Sequence, residues 1–285
     1  MTAHRLLPVL ALVAACEPLA PDDVLAADPQ MLDVDGARGP HAVATFEVVG
    51  PNSARVFFPS DSDVARPLAL VVQGGLVETD RYAWLAVHLA SKGHVTVVPE
   101  HALDLAFFQQ WKWARVLDDA RALADDAESP IAGLVDDAPG IALGHSLGGV
   151  VAAKAWLVDE ERLHTLALLG SAPDAADDNG ARTTGRVVSI TGSADTRVSP
   201  DEAALGAAAY RAPLTRAVVV GMTHMHWADF PTEGEEALDG EPGTSAPEAR
   251  RRALKIVDDA LRELRGETPH LLDDPERFPR GVTSP

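Results

Sequence analysis

Cysteine is nearly missing from this sequence. One residue in 285, Cys16, leaves no partner for an intrachain disulfide and too few thiols for a cysteine-built metal cage. Positive charge is also scarce: 24 Lys and Arg stand against 43 Asp and Glu, a formal net charge of −19. So acidic a chain is a poor partner for nucleic acid and gains no electrostatic grip on anionic lipid. The balance describes an acidic surface that aids solubility. No internal repeat is visible, and no apolar run approaches the length needed to cross a bilayer. What remains is 46% hydrophobic with mean hydropathy near zero. That suits one globular domain of the larger kind, with dispensable ends.

The ends have their own composition. Residues 1–15 read as a signal peptide, with a charged start at His4 and Arg5, an apolar stretch from Leu6, and small residues before Cys16. Val13-Ala14-Ala15-Cys16 resembles a bacterial lipobox. The resemblance implies that Cys16 becomes the lipidated first residue of an exported lipoprotein, held at the periplasm or cell surface by that anchor alone. Residues 16–40 are rich in Pro, Asp and Ala without periodicity and read as a flexible spacer. The globular domain is expected over 41–266, followed by a loose tail over 267–285.

Between the ends, buried strands alternate with amphipathic helices. Phe46–Val49 and Ala54–Phe58 flank a Gly50-Pro51-Asn52-Ser53 turn and predict an antiparallel hairpin. Leu68–Val72 is continuously apolar, as a strand covered on both faces should be. Further strands are expected at 94–98, 140–143, 165–169, 186–191 and 216–220. Helices are expected at 80–91, 111–127, 147–158, 200–210 and 247–264. Repeated β-α-β units imply an α/β fold with a mostly parallel twisted sheet and helices on both faces.

One stretch carries chemistry. Gly144-His145-Ser146-Leu147-Gly148-Gly149 follows the apolar run Gly140–Leu143 and opens a helix, the strand-turn-helix setting that a G-x-S-x-G nucleophile elbow requires. A serine on so sharp a turn needs neighbours without side chains, which Gly144 and Gly148 supply. It also needs a base, and the base an orienting acid, in the chain order Ser, acid, His. Asp195, on the loop after the 186–191 strand, is the first choice for the acid, with Asp174 the alternative. Two histidines, His224 and His226, follow the last strand and are both candidate bases. His224-x-His226 with nearby Asp229 could also suggest a metal site, but no other His or Cys cluster supports one, so no metal and no cofactor is expected. The oxyanion donors should be the Leu147 amide and one from the loop after Val72, with Gly75 first and Leu76 the alternative.

These residues resemble the α/β-hydrolase superfamily, and more narrowly its small bacterial esterase-like branch, alpha/beta hydrolase family five, near the dienelactone hydrolases. The similarity covers roughly residues 65–265 and is carried by Gly74-Gly75-Leu76-Val77, the elbow, Gly192-x-x-Asp195 and Gly221-x-x-His224. Its usual pattern at the last site places the base at His224. Gln73 departs from the Pro or His of relatives, and Trp227-Ala228 from their Phe-Gly. The resemblance implies a serine hydrolase, carboxylesterase-like, acting on a small-molecule ester through an acyl-enzyme. Phe107, Phe108, Met222, Met225 and Trp227 are the expected pocket walls. Only a short polar link, 171–185, stands where this superfamily inserts a cap domain. An uncapped, open site for small or surface-accessible esters is therefore expected. The competing readings are a non-catalytic envelope-anchored binding protein on the same scaffold, or an acyltransferase or serine peptidase with the same triad.

Overall fold

The computed structural model describes residues 25–26, 30–32, 39–101, 104–173 and 181–267. Its strands are β1 (Leu25–Ala26), β2 (Gln30–Leu32), β3 (Val43–Val49), β4 (Ala54–Pro59), β5 (Ala69–Val72), β6 (Thr96–Pro99), β7 (Gly140–His145), β8 (Leu163–Leu169), β9 (Arg186–Gly192) and β10 (Leu214–Val219). They form one sheet in the order β1-β3-β4-β6-β5-β7-β8-β9-β10, with β2 also on β3. From β6 to β10 every pairing is parallel; on the other side β4, β3, β1 and β2 run antiparallel. The predicted hairpin is β3–β4, with Val48 opposite Ala54.

Among the described residues six helices accompany the sheet: α1 (Ala83–Ser91), α2 (Lys112–Asp125), α3 (Leu147–Val158), α4 (Pro200–Ala207), α5 (Glu233–Ala237) and α6 (Ala246–Leu264). Alternation along the central strands splits the core in two. Leu70, Val72 and Ala142 face α2 and α3, while Ala69, Val71, Ile141 and Leu143 face α1 and α6. Both faces are dry, which is why β5 and β7 read as continuous apolar runs. On α6 the buried Ala249, Ala253, Ile256, Val257, Ala260 and Leu261 recur at helical spacing, leaving Arg251, Arg252 and Lys255 outward. The described residues form a single α/β domain with no cap among them, and β8 passes to β9 through residues 170–185.

Two differences stand out. Strands β1 and β2 fall inside the stretch expected to be a spacer. They add to the β3 edge through main-chain hydrogen bonds, and pairings of two or three residues are too short to show alternation. The unexpected α5 buries none of its residues, so it has no apolar stripe to reveal it. Cys16, the signal segment, Asp174 and residues 268–285 lie outside the described residues.

Candidate active site

Strand β7 ends at His145, α3 begins at Leu147, and Ser146 between them has φ 51° and ψ −123°. L-residues avoid that region, so the surroundings must hold it. The Ser146 amide donates to the Leu169 carbonyl at 3.0 Å. The Ser146 carbonyl accepts from the Ser171 hydroxyl at 2.7 Å and from the Gly149 amide at 3.0 Å. A Cβ on Gly144 would lie 2.6 Å from the Gly149 Cα. One on Gly148 would lie 2.5 Å from the Val72 carbonyl oxygen and closer still to that of Gln73.

Asp195 and His224 are both buried, on the loops after β9 and β10. The His224 Nδ1 and Asp195 Oδ2 are 2.9 Å apart. An ionised carboxylate only accepts, so the proton sits on Nδ1 and Nε2 is left with a free lone pair. The other oxygen, Oδ1, accepts the amides of Arg197 (3.0 Å) and Val198 (2.8 Å), which fixes the carboxylate's orientation. Gly170, at φ 51°, lies behind this pair: a Cβ there would sit 3.1 Å from Asp195 Oδ2 and 3.4 Å from His224 Nδ1.

His226 is engaged elsewhere. Its Nδ1 accepts the Thr223 amide at 3.2 Å, capping the 3-10 turn His224–Trp227, and its ring lines a separate cleft with Glu236 and Asp239. Burial first, then the charge of Arg250, lowers its pKa below the usual histidine value.

Beneath the rim runs a buried relay that the sequence did not announce. The Gly74 amide donates to the Tyr82 hydroxyl at 2.9 Å, and that oxygen lies 2.7 Å from His145 Nδ1. The Tyr82 hydroxyl and the His145 Nδ1 thus share one buried hydrogen bond. Burial and the neighbouring His224 hold the His145 pKa well below its ordinary value, so the ring stays neutral. The His145 and His224 rings meet at a tilt, their centroids 4.5 Å apart and their planes inclined by 44°. The residue between Gly144 and Ser146 was the only hint in the motif.

Among the amides of the turn after β5, that of Gly74 is committed to Tyr82 and that of Leu76 to the Asp104 carbonyl (2.9 Å). The Gly75 amide has no acceptor among the described residues, nor has that of Leu147 at the start of α3. The two residues touch: a Cβ on Gly75 would lie 3.0 Å from Leu147 Cδ2. Gln73, the departure from relatives, is fully buried and pins the turn. Its Oε1 accepts from Thr79 Oγ1 (3.0 Å) and His101 Nδ1 (3.1 Å), and its Nε2 donates to Asp104 Oδ1 (3.4 Å). Burial, then the Lys112 charge, lowers the His101 pKa to about 4, which keeps that imidazole neutral.

Ser146, His224 and Gly75 open into one cleft of about 650 Å³. Arg81, which is mostly buried, donates to both Glu235 oxygens at 3.0 and 2.9 Å, and these bonds hold the Glu235 pKa down to about 2. Of the five expected pocket walls only Met225 lines this cleft. Met222 and Trp227 are instead fully buried in the core formed with α1 and α6. Phe107 and Phe108 sit on another 3-10 turn, Ala106–Gln109, with the Lys154 ammonium 5.0 Å from the Phe107 ring. Among the described residues no group of three His, Cys, Asp or Glu is arranged to hold a metal ion.

Among curated proteins no sequence matches the chain. The sequence model of the alpha/beta hydrolase family matches residues 68–247, a span running from the start of the β5 region to α6 and holding every residue of the cleft. That is more than half of the chain, and with the elbow and the parallel sheet it identifies this protein as a member of the alpha/beta hydrolase family.

Proposed function

We propose that this hydrolase is a serine esterase in which Ser146 is the nucleophile, His224 the base and Asp195 the orienting acid. The observation that carries the reading is the buried 2.9 Å Asp195–His224 contact, which opens into the same cleft as the strained Ser146. In the first step the His224 Nε2 takes the Ser146 Oγ proton as Oγ bonds to the ester carbonyl carbon. The amides of Gly75 and Leu147 receive the negative charge that develops on the carbonyl oxygen. Collapse expels the alcohol, protonated by His224, and leaves Ser146 acylated. Water, activated by the same imidazole, then releases the acid and restores the serine. The uncapped cleft suits small or surface-accessible esters.

A fluorophosphonate reacts with a serine only where a base activates it. The wild-type protein should be labelled, and Ser146→Ala should lose labelling and ester turnover together. A folded wild-type protein that resists labelling would contradict the esterase reading and favour a binding role. Turnover that appears only when an alcohol acceptor is added would favour an acyltransferase.

We also propose export and lipid anchoring at Cys16, supported by the small residues before the only cysteine. Cys16→Ser expressed in a bacterial host should move the protein from the membrane fraction to the soluble fraction. Unchanged fractionation would rule the anchor out.

A further inference from the structure

A bulky residue held in the left-handed backbone region is strained, and the fold around it must enforce that strain. The described residues contain four non-glycine cases: Leu76 (φ 61°), Asp104 (φ 52°), Ser146 (φ 51°) and Phe230 (φ 50°). Three border the catalytic cleft, and the fourth accepts the Leu76 amide on its carbonyl. Strain in this fold is gathered around Ser146. At Ser146 its use is evident, since it turns the hydroxyl out of the strand. At Leu76 and Phe230 the elbow offers no such reason. Both side chains are held out into solvent, 72% and 88% exposed, although each is large and apolar. At left-handed positions without close main-chain neighbours the chain elsewhere carries glycine, as at Gly93 and Gly133.

We propose that Leu76 and Phe230 form an apolar clamp at the cleft mouth that takes the hydrocarbon substituent of the ester substrate. The inference rests on Ser146 acting as the nucleophile. Leu76 follows Gly75, whose amide has no acceptor among the described residues, so an ester with its carbonyl oxygen on that amide lies beside the leucine side chain. Phe230 stands on a short pinned segment. On one side the Asp229 amide donates to the Arg81 carbonyl (2.9 Å), and the Asp229 carbonyl accepts from Arg81 Nε (2.7 Å). On the other, Thr232 and Glu235 cap α5 reciprocally. The clamp is therefore set before substrate arrives, and little ordering entropy is lost on binding. Val77 and Met225 extend the apolar lining inward. Within the small or surface-accessible esters that the uncapped cleft suits, the substrate class is one whose hydrocarbon group, several carbons long, reaches the cleft mouth. Covering either exposed side chain should favour binding by about tenfold.

Two fluorophosphonates, identical except for an ethyl or an octyl chain, test the clamp below their aggregation concentrations. Wild type should react with the octyl probe at least about tenfold faster than with the ethyl probe. That ratio should fall by about threefold or more in Leu76→Ser and in Phe230→Asn, and it should stay unchanged in Leu205→Ser, an exposed leucine on α4. Asparagine tolerates left-handed backbone, so Phe230→Asn should melt no lower than wild type. An unchanged ratio in both cleft variants overturns the clamp. An octyl advantage seen only above the aggregation concentration also overturns it, in favour of docking to a lipid-like surface. Failure of wild type to react with either probe shows instead that the serine-hydrolase reading has failed, and the clamp falls with it.

Discussion

Replacing Asp195 by asparagine is expected to lower kcat by about four orders of magnitude while leaving the fold in place. The reason lies in the two amides on Oδ1. Arg197 and Val198 both donate there, so the asparagine carbonyl must take that position and its NH2 must turn towards His224. An NH2 facing Nδ1 requires a lone pair on that nitrogen, which moves the ring proton to Nε2. The nitrogen that should accept the serine proton is then already protonated. His224→Ala removes the base outright and should cost about four to six orders of magnitude in kcat/KM. His226→Ala loses only the cap on the Thr223 amide, worth about 1 kcal/mol of stability, and should retain turnover within about tenfold. Steady-state kinetics on a p-nitrophenyl ester checks all three. If His226→Ala is the inactive variant, the base assignment is wrong.

The second large effect is on folding. Gly148→Ala would drive a methyl group into the carbonyls of Val72 and Gln73, both main-chain atoms at the end of β5. Nothing flexible is available to yield, because that strand end is tied by Gln73 to Thr79, His101 and Asp104. A loss of about 4 kcal/mol or more is expected, a large share of the roughly 5–15 kcal/mol by which such domains are stable. Gly234→Ala is the matched control. A Cβ there meets nothing within 4 Å, and its position inside α5 favours alanine by about 1 kcal/mol. Urea unfolding of both variants against wild type separates the cases. A Gly148→Ala midpoint equal to that of wild type would refute the close-approach argument.

The residues that could be read in advance are those whose type is dictated by a local requirement. Gly144 and Gly148 are glycine because main chain lies where a Cβ would go. Asp195 and His224 stand one turn beyond strands that announce themselves by β-branched, apolar runs. Both core faces were legible for the same reason, since Ala69, Val71, Leu70 and Val72 alternate between them. Residues whose roles come only from tertiary approach were not legible. Tyr82 meets His145 across 63 positions, and Arg81 meets Glu235 across 154; neither pair has a periodicity or spacing to betray it. Helix α5 left one overlooked trace, the reciprocal cap between Thr232 and Glu235. Gln73 was noticed, but only as a departure from relatives. In the fold it is the centre of the network that holds the turn beside the nucleophile.

That turn has no spare capacity. With the Gly74 and Leu76 amides already spent, it presents one amide without an acceptor among the described residues, in one register, and a shift of a single residue would bring up an amide that is already bonded. Side chains along it can be exchanged so long as the main chain keeps its count. Insertions and deletions cannot be absorbed there, even though the segment is a loop near the surface. The length of 73–76 is thus as much a part of the proposed chemistry as the identity of Ser146.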